Sequence, residues 1–139
     1  MPDLIHPLVD ASWETRGYWE GAGRGELVLQ RCTACGTVQH KPRGVCATCL
    51  GTVEHFVASG RGTVHTFTVT HQNQVAPFAA ACPFVMGYVQ TDEGPRLLTH
   101  IVGCEPADVR IGMKVVADFQ PQERADGEAF AVVRFRPAD

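Results

Sequence analysis

From residue 53 onward the chain reads as short runs in which bulky, β-branched and aromatic side chains alternate with small or polar ones. Residues 63–70 alternate threonine with larger groups, and residues 84–90 and 96–102 form second and third runs of the same kind. Asp92-Glu93-Gly94-Pro95 is a turn signal between them. Residues 115–119 and 130–135 give two more strands, joined through a polar loop that contains Asp126-Gly127. The stretch 105–110 has the make-up of a single helical turn. By alternation along the first run, His65, Phe67, Val69 and His71 share one face. Upstream, Leu27-Val28-Leu29 predicts a short strand. The first thirty residues predict a helical lead-in around Trp13, Tyr18 and Trp19, interrupted by glycines at 17, 21, 23 and 25.

Five short strands with frequent Gly and Pro punctuation predict a small antiparallel barrel. A helical turn between strands three and four is what a five-stranded OB barrel uses there, although periodicity alone does not separate that barrel from other small ones. The expected organisation is a mainly β chain in three parts: a helical lead-in over 1–30, a four-cysteine zinc ribbon over 31–58 and a five-stranded antiparallel OB-fold barrel over 59–139.

The chain has 139 residues, 45% hydrophobic and 19% charged, enough for one sizeable core. It has no apolar run long enough to cross a membrane, and its N-terminus lacks the basic leader and apolar core of a signal peptide. The expected location is therefore cytoplasmic, where paired cysteines serve more often as metal ligands than as disulfides. Four of the six cysteines form two pairs with two residues between partners, Cys32/Cys35 and Cys46/Cys49. Each pair lets two sulfurs of a tight turn face one ion, and two facing turns make a closed tetrahedral shell. Gly36 and Gly51 suit the positive φ such turns often need. A saturated shell is structural rather than catalytic. Zinc is the expected ion, and four thiolates can hold iron as well. Cys82 and Cys104 read as small buried hydrophobes.

No nucleophile–base pair, paired carboxylates, P-loop or dinucleotide fingerprint stands out, so no catalytic residue is assigned. His65, His71 and His100 are the candidates for acid–base work, with no carboxylate partner identifiable. Residues 13–61 carry Arg16, Arg24, Arg31, Lys41, Arg43 and Arg61 against four acidic groups, whereas the rest of the barrel half is net acidic. Arg31, Lys41, Arg43 and Arg61 could form a local basic patch near the ribbon or simply a solvated surface. The acidic barrel disfavours single-stranded nucleic acid, which needs a basic groove with exposed aromatic platforms; Phe67, Phe84, Tyr88, Phe119 and Phe135 are expected to face the core. Trp13, Tyr18 and Trp19 are either interface groups or caps on the ribbon and barrel.

Residues 25–32 (GELVLQRC), Cys35-Gly36, Pro42-Arg43, Ser59-Gly60-Arg61-Gly62-Thr63-Val64, residues 92–98 and residues 109–115 together resemble the DUF35 family over roughly residues 12–137. That resemblance implies a rubredoxin-like zinc ribbon joined to an OB fold. It also implies a non-catalytic accessory subunit of a thiolase-like enzyme acting on acyl-CoA. A lipid-transfer-protein-type aldolase or thiolase of steroid or lipid side-chain degradation is the first expectation. A biosynthetic acyltransferase or HMG-CoA synthase-type complex is the second. A MaoC-like hydratase is a further partner in the steroid setting, and the expected assembly is a heterotetramer with two copies of each chain. Whether this chain stands alone or is one domain of a longer protein is left open by the resemblance. The apolar loop 71–83, with Phe78 and Ala80, departs from the common pattern and is expected to face the partner or the acyl chain.

Overall fold

The computed structural model describes residues 11–123 and 129–139; the predicted Asp126-Gly127 loop and the first ten residues of the lead-in lie outside the described residues. Helix α1 (Arg16–Gly23) comes first, followed by a three-stranded antiparallel sheet of β1 (Val28–Cys32), β2 (Val38–Gln39) and β3 (Val53–Val57) in the order β2-β1-β3. Then come β4 (Arg61–Thr70), the short helix α2 (Phe78–Ala81), β5 (Phe84–Thr91), β6 (Arg96–Ile101), a 3-10 turn (Pro106–Asp108), β7 (Lys114–Glu123) and β8 (Ala129–Pro137). These last five strands close into a barrel in the order β4-β5-β6-β8-β7. The pairings are antiparallel apart from one parallel contact, Ile101 with Phe135, which joins β6 to β8. The predicted helical turn lies between the third and fourth barrel strands, as in an OB fold.

The barrel is filled from alternate positions. Val85 and Val89 of β5, Leu97 and Ile101 of β6, and Ala131, Val133 and Phe135 of β8 point inward and are buried. Thr99 shares that inner face, and its hydroxyl is satisfied by the Val133 carbonyl at 3.2 Å. The same apolar cluster continues through Ala58, Leu27 and Leu29 to Ala22 of α1, so one core runs from barrel to ribbon.

Sequence expectations are corrected first in α1 and then in β4. Gly17, Gly21 and Gly23 do not interrupt α1; they lie within it. A Cβ on Gly21 would sit 2.3 Å from Val28 Cγ2, and one on Gly17 would sit 2.9 Å from the His55 ring. Glycine lowers helix propensity, but here it lets the helix axis approach the ribbon sheet more closely than a side chain permits. Second, His65 does not share a face with Phe67, Val69 and His71. The register of β4 against β5 shifts between Val64 and Thr66, leaving His65 unpaired and exposed, and β4 ends at Thr70. Phe67 and Val69 pack against the core, whereas His65 and His71 face solvent.

The outer face of β5 carries a second small cluster, in which Phe78 and Ala81 of α2 cover Phe84. Phe78 therefore turns onto its own barrel, its ring 6.4 Å from that of Phe84, while Ala79 and Ala80 remain exposed. Tyr88 does not face the core as expected: it is 43% exposed on the outer face, opposite Leu98, which is 57% exposed. Of the other expected core aromatics, Phe84 and Phe135 are buried, and Phe67 and Phe119 pack partly against the main core.

Candidate metal centre

The two cysteine pairs lie on two turns of the same construction. In the first, the Cys32 N–H donates to the Thr37 carbonyl (2.8 Å) and the Gly36 N–H donates back to the Cys32 carbonyl (3.1 Å). In the second, Cys46 N–H donates to Gly51 O (2.9 Å) and Leu50 N–H to Cys46 O (3.0 Å). Residue 36 matches residue 50 in this pattern, and both have positive φ, +77° and +65°. This corrects the role expected of Gly51: the left-handed position belongs to Leu50. Gly51 serves close approach instead, since a Cβ there would lie 3.1 Å from both Cys32 Sγ and Cys49 Sγ.

All four sulfurs lie within 4.8 Å of one another. Cys32 Sγ is 3.5 Å from Cys49 Sγ, and Cys35 Sγ is 3.7 Å from Cys46 Sγ. A tetrahedral ion with metal–sulfur distances of about 2.3 Å would set each edge at about 3.8 Å, so the arrangement fits such an ion. Backbone donors support the thiolate form. Ala34 N–H and Cys35 N–H both reach Cys32 Sγ at 3.4 Å, and Thr48 N–H reaches Cys46 Sγ at 3.3 Å. The Thr37 hydroxyl, 3.0 Å from Cys35 Sγ, is the leading cause that brings the Cys35 thiol down to about 6. Cys46 is lowered by the backbone of Cys49 and Thr48. Cys49 moves the other way, to about 12: the Gly51 backbone favours its thiolate, but the adjoining Cys32 and Cys35 sulfurs outweigh it. Four thiols in one small volume oppose each other's ionisation, and a divalent cation at their centre removes that opposition. The first cysteine of each pair is buried and the second exposed, so the site sits at the rim of the ribbon.

The remaining predicted residues are scattered. Cys82 and Cys104 are partly buried, the former with its thiol directed at the Phe78 carbonyl. His100 stacks on Phe84 at 5.3 Å. Lys41, Arg43 and Arg61 are exposed, and the Arg31 guanidinium lies 4.0 Å over the Phe56 ring. Tyr18 packs against the core, with its hydroxyl pushed up to about 12 by burial, and its ring meets His40 at 5.2 Å. His40 is lowered to about 4, chiefly by burial and then by Lys41. Trp19 meets Phe130 edge-on, and Trp13 leans on Gly44 yet stays 72% exposed. A cleft of about 210 Å³ opens between ribbon and barrel, lined by Leu27, Val57, Ala58, Ala117 and Phe119 among others. Sequence reasoning overlooked Thr37 and the buried pair Gln30 and Gln39. Alternation did carry a signal for Gln30, because it shares a face of β1 with Cys32.

Residues 19–54 match the family model described as the ChsH2 rubredoxin-like zinc ribbon domain, and residues 57–120 match the ChsH2 C-terminal OB-fold domain. A DUF35 domain-containing scaffold protein of Methanocaldococcus jannaschii is 36% identical over 119 residues, covering 81% of this chain and 82% of that one. This chain belongs to the DUF35 family. This DUF35 protein is also 37% identical to the 3-oxo-4,17-pregnadiene-20-carboxyl-CoA hydratase alpha subunit of Mycobacterium tuberculosis, over 86% of this chain and 39% of that one. The chain spans about two fifths of the length of the hydratase alpha subunits it matches. In three dimensions this DUF35 protein is similar to a chain of the solved Ltp2-ChsH2(DUF35) aldolase, with a TM-score of 0.80 and 32% identity, over 96% of this chain and 100% of that one. Its four cysteines are positioned for metal binding within a zinc-ribbon domain, and no helix among the described residues is long and apolar enough to cross a membrane.

Proposed function

We propose that this DUF35 protein is a non-catalytic accessory subunit that binds and supports a thiolase-superfamily aldolase acting on acyl-CoA in steroid or lipid side-chain degradation. The observation that carries this reading is the match along the full length of one chain of the Ltp2-ChsH2(DUF35) aldolase. The steroid setting is supported by the pregnadiene carboxyl-CoA in the name of the mycobacterial relative.

In this reading Cys32, Cys35, Cys46 and Cys49 hold one structural zinc ion, which ties the two turns of the ribbon together and leaves no coordination position open to substrate. The partner docks on the outer face of β5 and β6 at Tyr88 and Leu98, the face that α2 covers further along at Phe84. The assembly holds two copies of each chain.

Co-expression with a candidate aldolase, followed by size-exclusion chromatography with light scattering, tests the proposal. A stable complex is expected, with retro-aldol cleavage of a steroid acyl-CoA that is lost when this chain is omitted. Leu98→Glu is expected to leave the chain folded and to abolish the complex. No complex, or full activity of the partner alone, would refute the accessory role.

A further inference from the structure

The second cysteine turn lies in a stretch without regular structure. Between the end of β2 at Gln39 and the start of β3 at Val53 there is no strand or helix. The first turn is closed directly by the β1–β2 hairpin, but the approach to Cys46 has no such ladder, and its backbone groups must find partners elsewhere.

Two glutamine side chains provide them. Gln30 of β1 and Gln39 of β2 are paired across the sheet and are 2% and 8% exposed. Gln30 Nε2 donates to the Arg43 carbonyl at 2.9 Å, and Gln30 Oε1 accepts from the Arg43 N–H at 2.9 Å. Gln39 Nε2 donates to the Val45 carbonyl at 3.1 Å, and Gln39 Oε1 accepts from the Ala47 N–H at 2.9 Å. The amides are joined to each other by Gln39 Nε2 donating to Gln30 Oε1 at 2.8 Å. Cys46, itself fully buried, therefore lies between two backbone positions, 45 and 47, fixed by one side chain. Burying two amides is costly unless they are bonded, and leucine or methionine would fill these positions without that cost. What an apolar pair could not do is hold the 43–47 backbone at a set distance from β1, the strand that carries Cys32.

We propose that Gln30 and Gln39 are positioning residues for the metal: they place Cys46, and through its turn Cys49, at bonding distance from an ion already facing Cys32 and Cys35. This rests on the reading of the four cysteines as a metal site. Groups that orient ligands in this way typically change metal affinity by about 10–100-fold when removed.

The test uses the full chain loaded with cobalt, whose thiolate charge-transfer absorption reports the four-sulfur shell, together with zinc release to a chelator. Gln39→Leu and Gln30→Met are expected to weaken cobalt binding and to speed zinc release by about 10–100-fold. Gln39→Glu, nearly isosteric, keeps the acceptor for Ala47 N–H but turns an oxygen onto the Val45 carbonyl and Gln30 Oε1, and is expected to weaken binding at least as much as leucine; Gln30→Met carries the comparison if the Gln39 variants do not fold. Thr99→Val, which removes the buried barrel hydrogen bond to the Val133 carbonyl outside the ribbon, is the control for a general loss of stability. Wild-type affinity in the Gln30 and Gln39 variants, or an equal loss in the Thr99 variant, overturns the positioning role alone. A wild-type chain that takes up no metal overturns the metal reading and this role with it.

Discussion

Leu50 and Gly51 stand side by side at the second cysteine turn and have opposite reasons for being what they are. Leu50 is 75% exposed and has φ +65°, where a side chain costs about 1–2 kcal/mol and glycine almost nothing. Gly36 occupies the matching place in the first turn. Leu50→Gly is therefore expected to stabilise the metal-loaded protein by up to about 1.5 kcal/mol after the entropy glycine loses on folding, read as a higher melting temperature. Gly51→Ala would place a methyl group 3.1 Å from two ligand sulfurs and is expected to weaken cobalt binding by about tenfold or more, read from the charge-transfer band. Similar behaviour of the two variants would contradict the assigned geometry. The four cysteines were fully legible in the sequence, because their spacing alone specifies two facing turns. Which of two adjacent residues takes the left-handed conformation was not, since φ depends on the hydrogen bonds that close the turn. Gln39 was harder still, and Gln30 carried only the signal of its shared face with Cys32: a glutamine in a strand otherwise reads as a solvent-facing position until the loop it supports is known.

Among the elements, the barrel strands were the easiest to read, because β-branched and aromatic runs bounded by Gly, Pro and Asp leave few alternatives. The bulge at His65 was invisible, since it adds one residue without altering composition. Helix α1 was misjudged for a different reason: propensity scores what glycine costs the helix and not what the helix touches. That distinction can be measured within α1 itself. Gly23 has open space around its Cβ position, whereas Gly21 meets Val28. Gly23→Ala is expected to stabilise the protein by a few tenths to about 1 kcal/mol in urea unfolding. Gly21→Ala, the same chemical change two residues away, is expected to destabilise it by about 1–3 kcal/mol. Stabilisation by both substitutions would mean that α1 does not pack against β1 as described.

For the whole molecule, the deciding feature is that ribbon and barrel share one core, with Leu27 and Leu29 on the ribbon side and Val64, Val133 and Phe135 on the barrel side. Stripping the metal with a strong chelator is therefore expected to lower the temperature of a single unfolding transition, followed by circular dichroism. Two transitions, with the barrel's unchanged, would show that the modules are energetically independent. The pairing of β8 adds a constraint of another kind. This strand runs beside β7 for its full length, meets β6 through the parallel pair at Phe135 and the Thr99–Val133 hydrogen bond, and forms a floor on which α1 rests through Trp19 and Phe130. Helix α1 thus has the ribbon sheet to pack on through Gly17 and Gly21, but its second surface comes only with β8, the last described strand, whereas all four cysteines lie before residue 50. During synthesis, capture of the ion can precede closure of the barrel, and the newborn chain carries an exposed helix face and two unpaired strand edges until about residue 137 is in place.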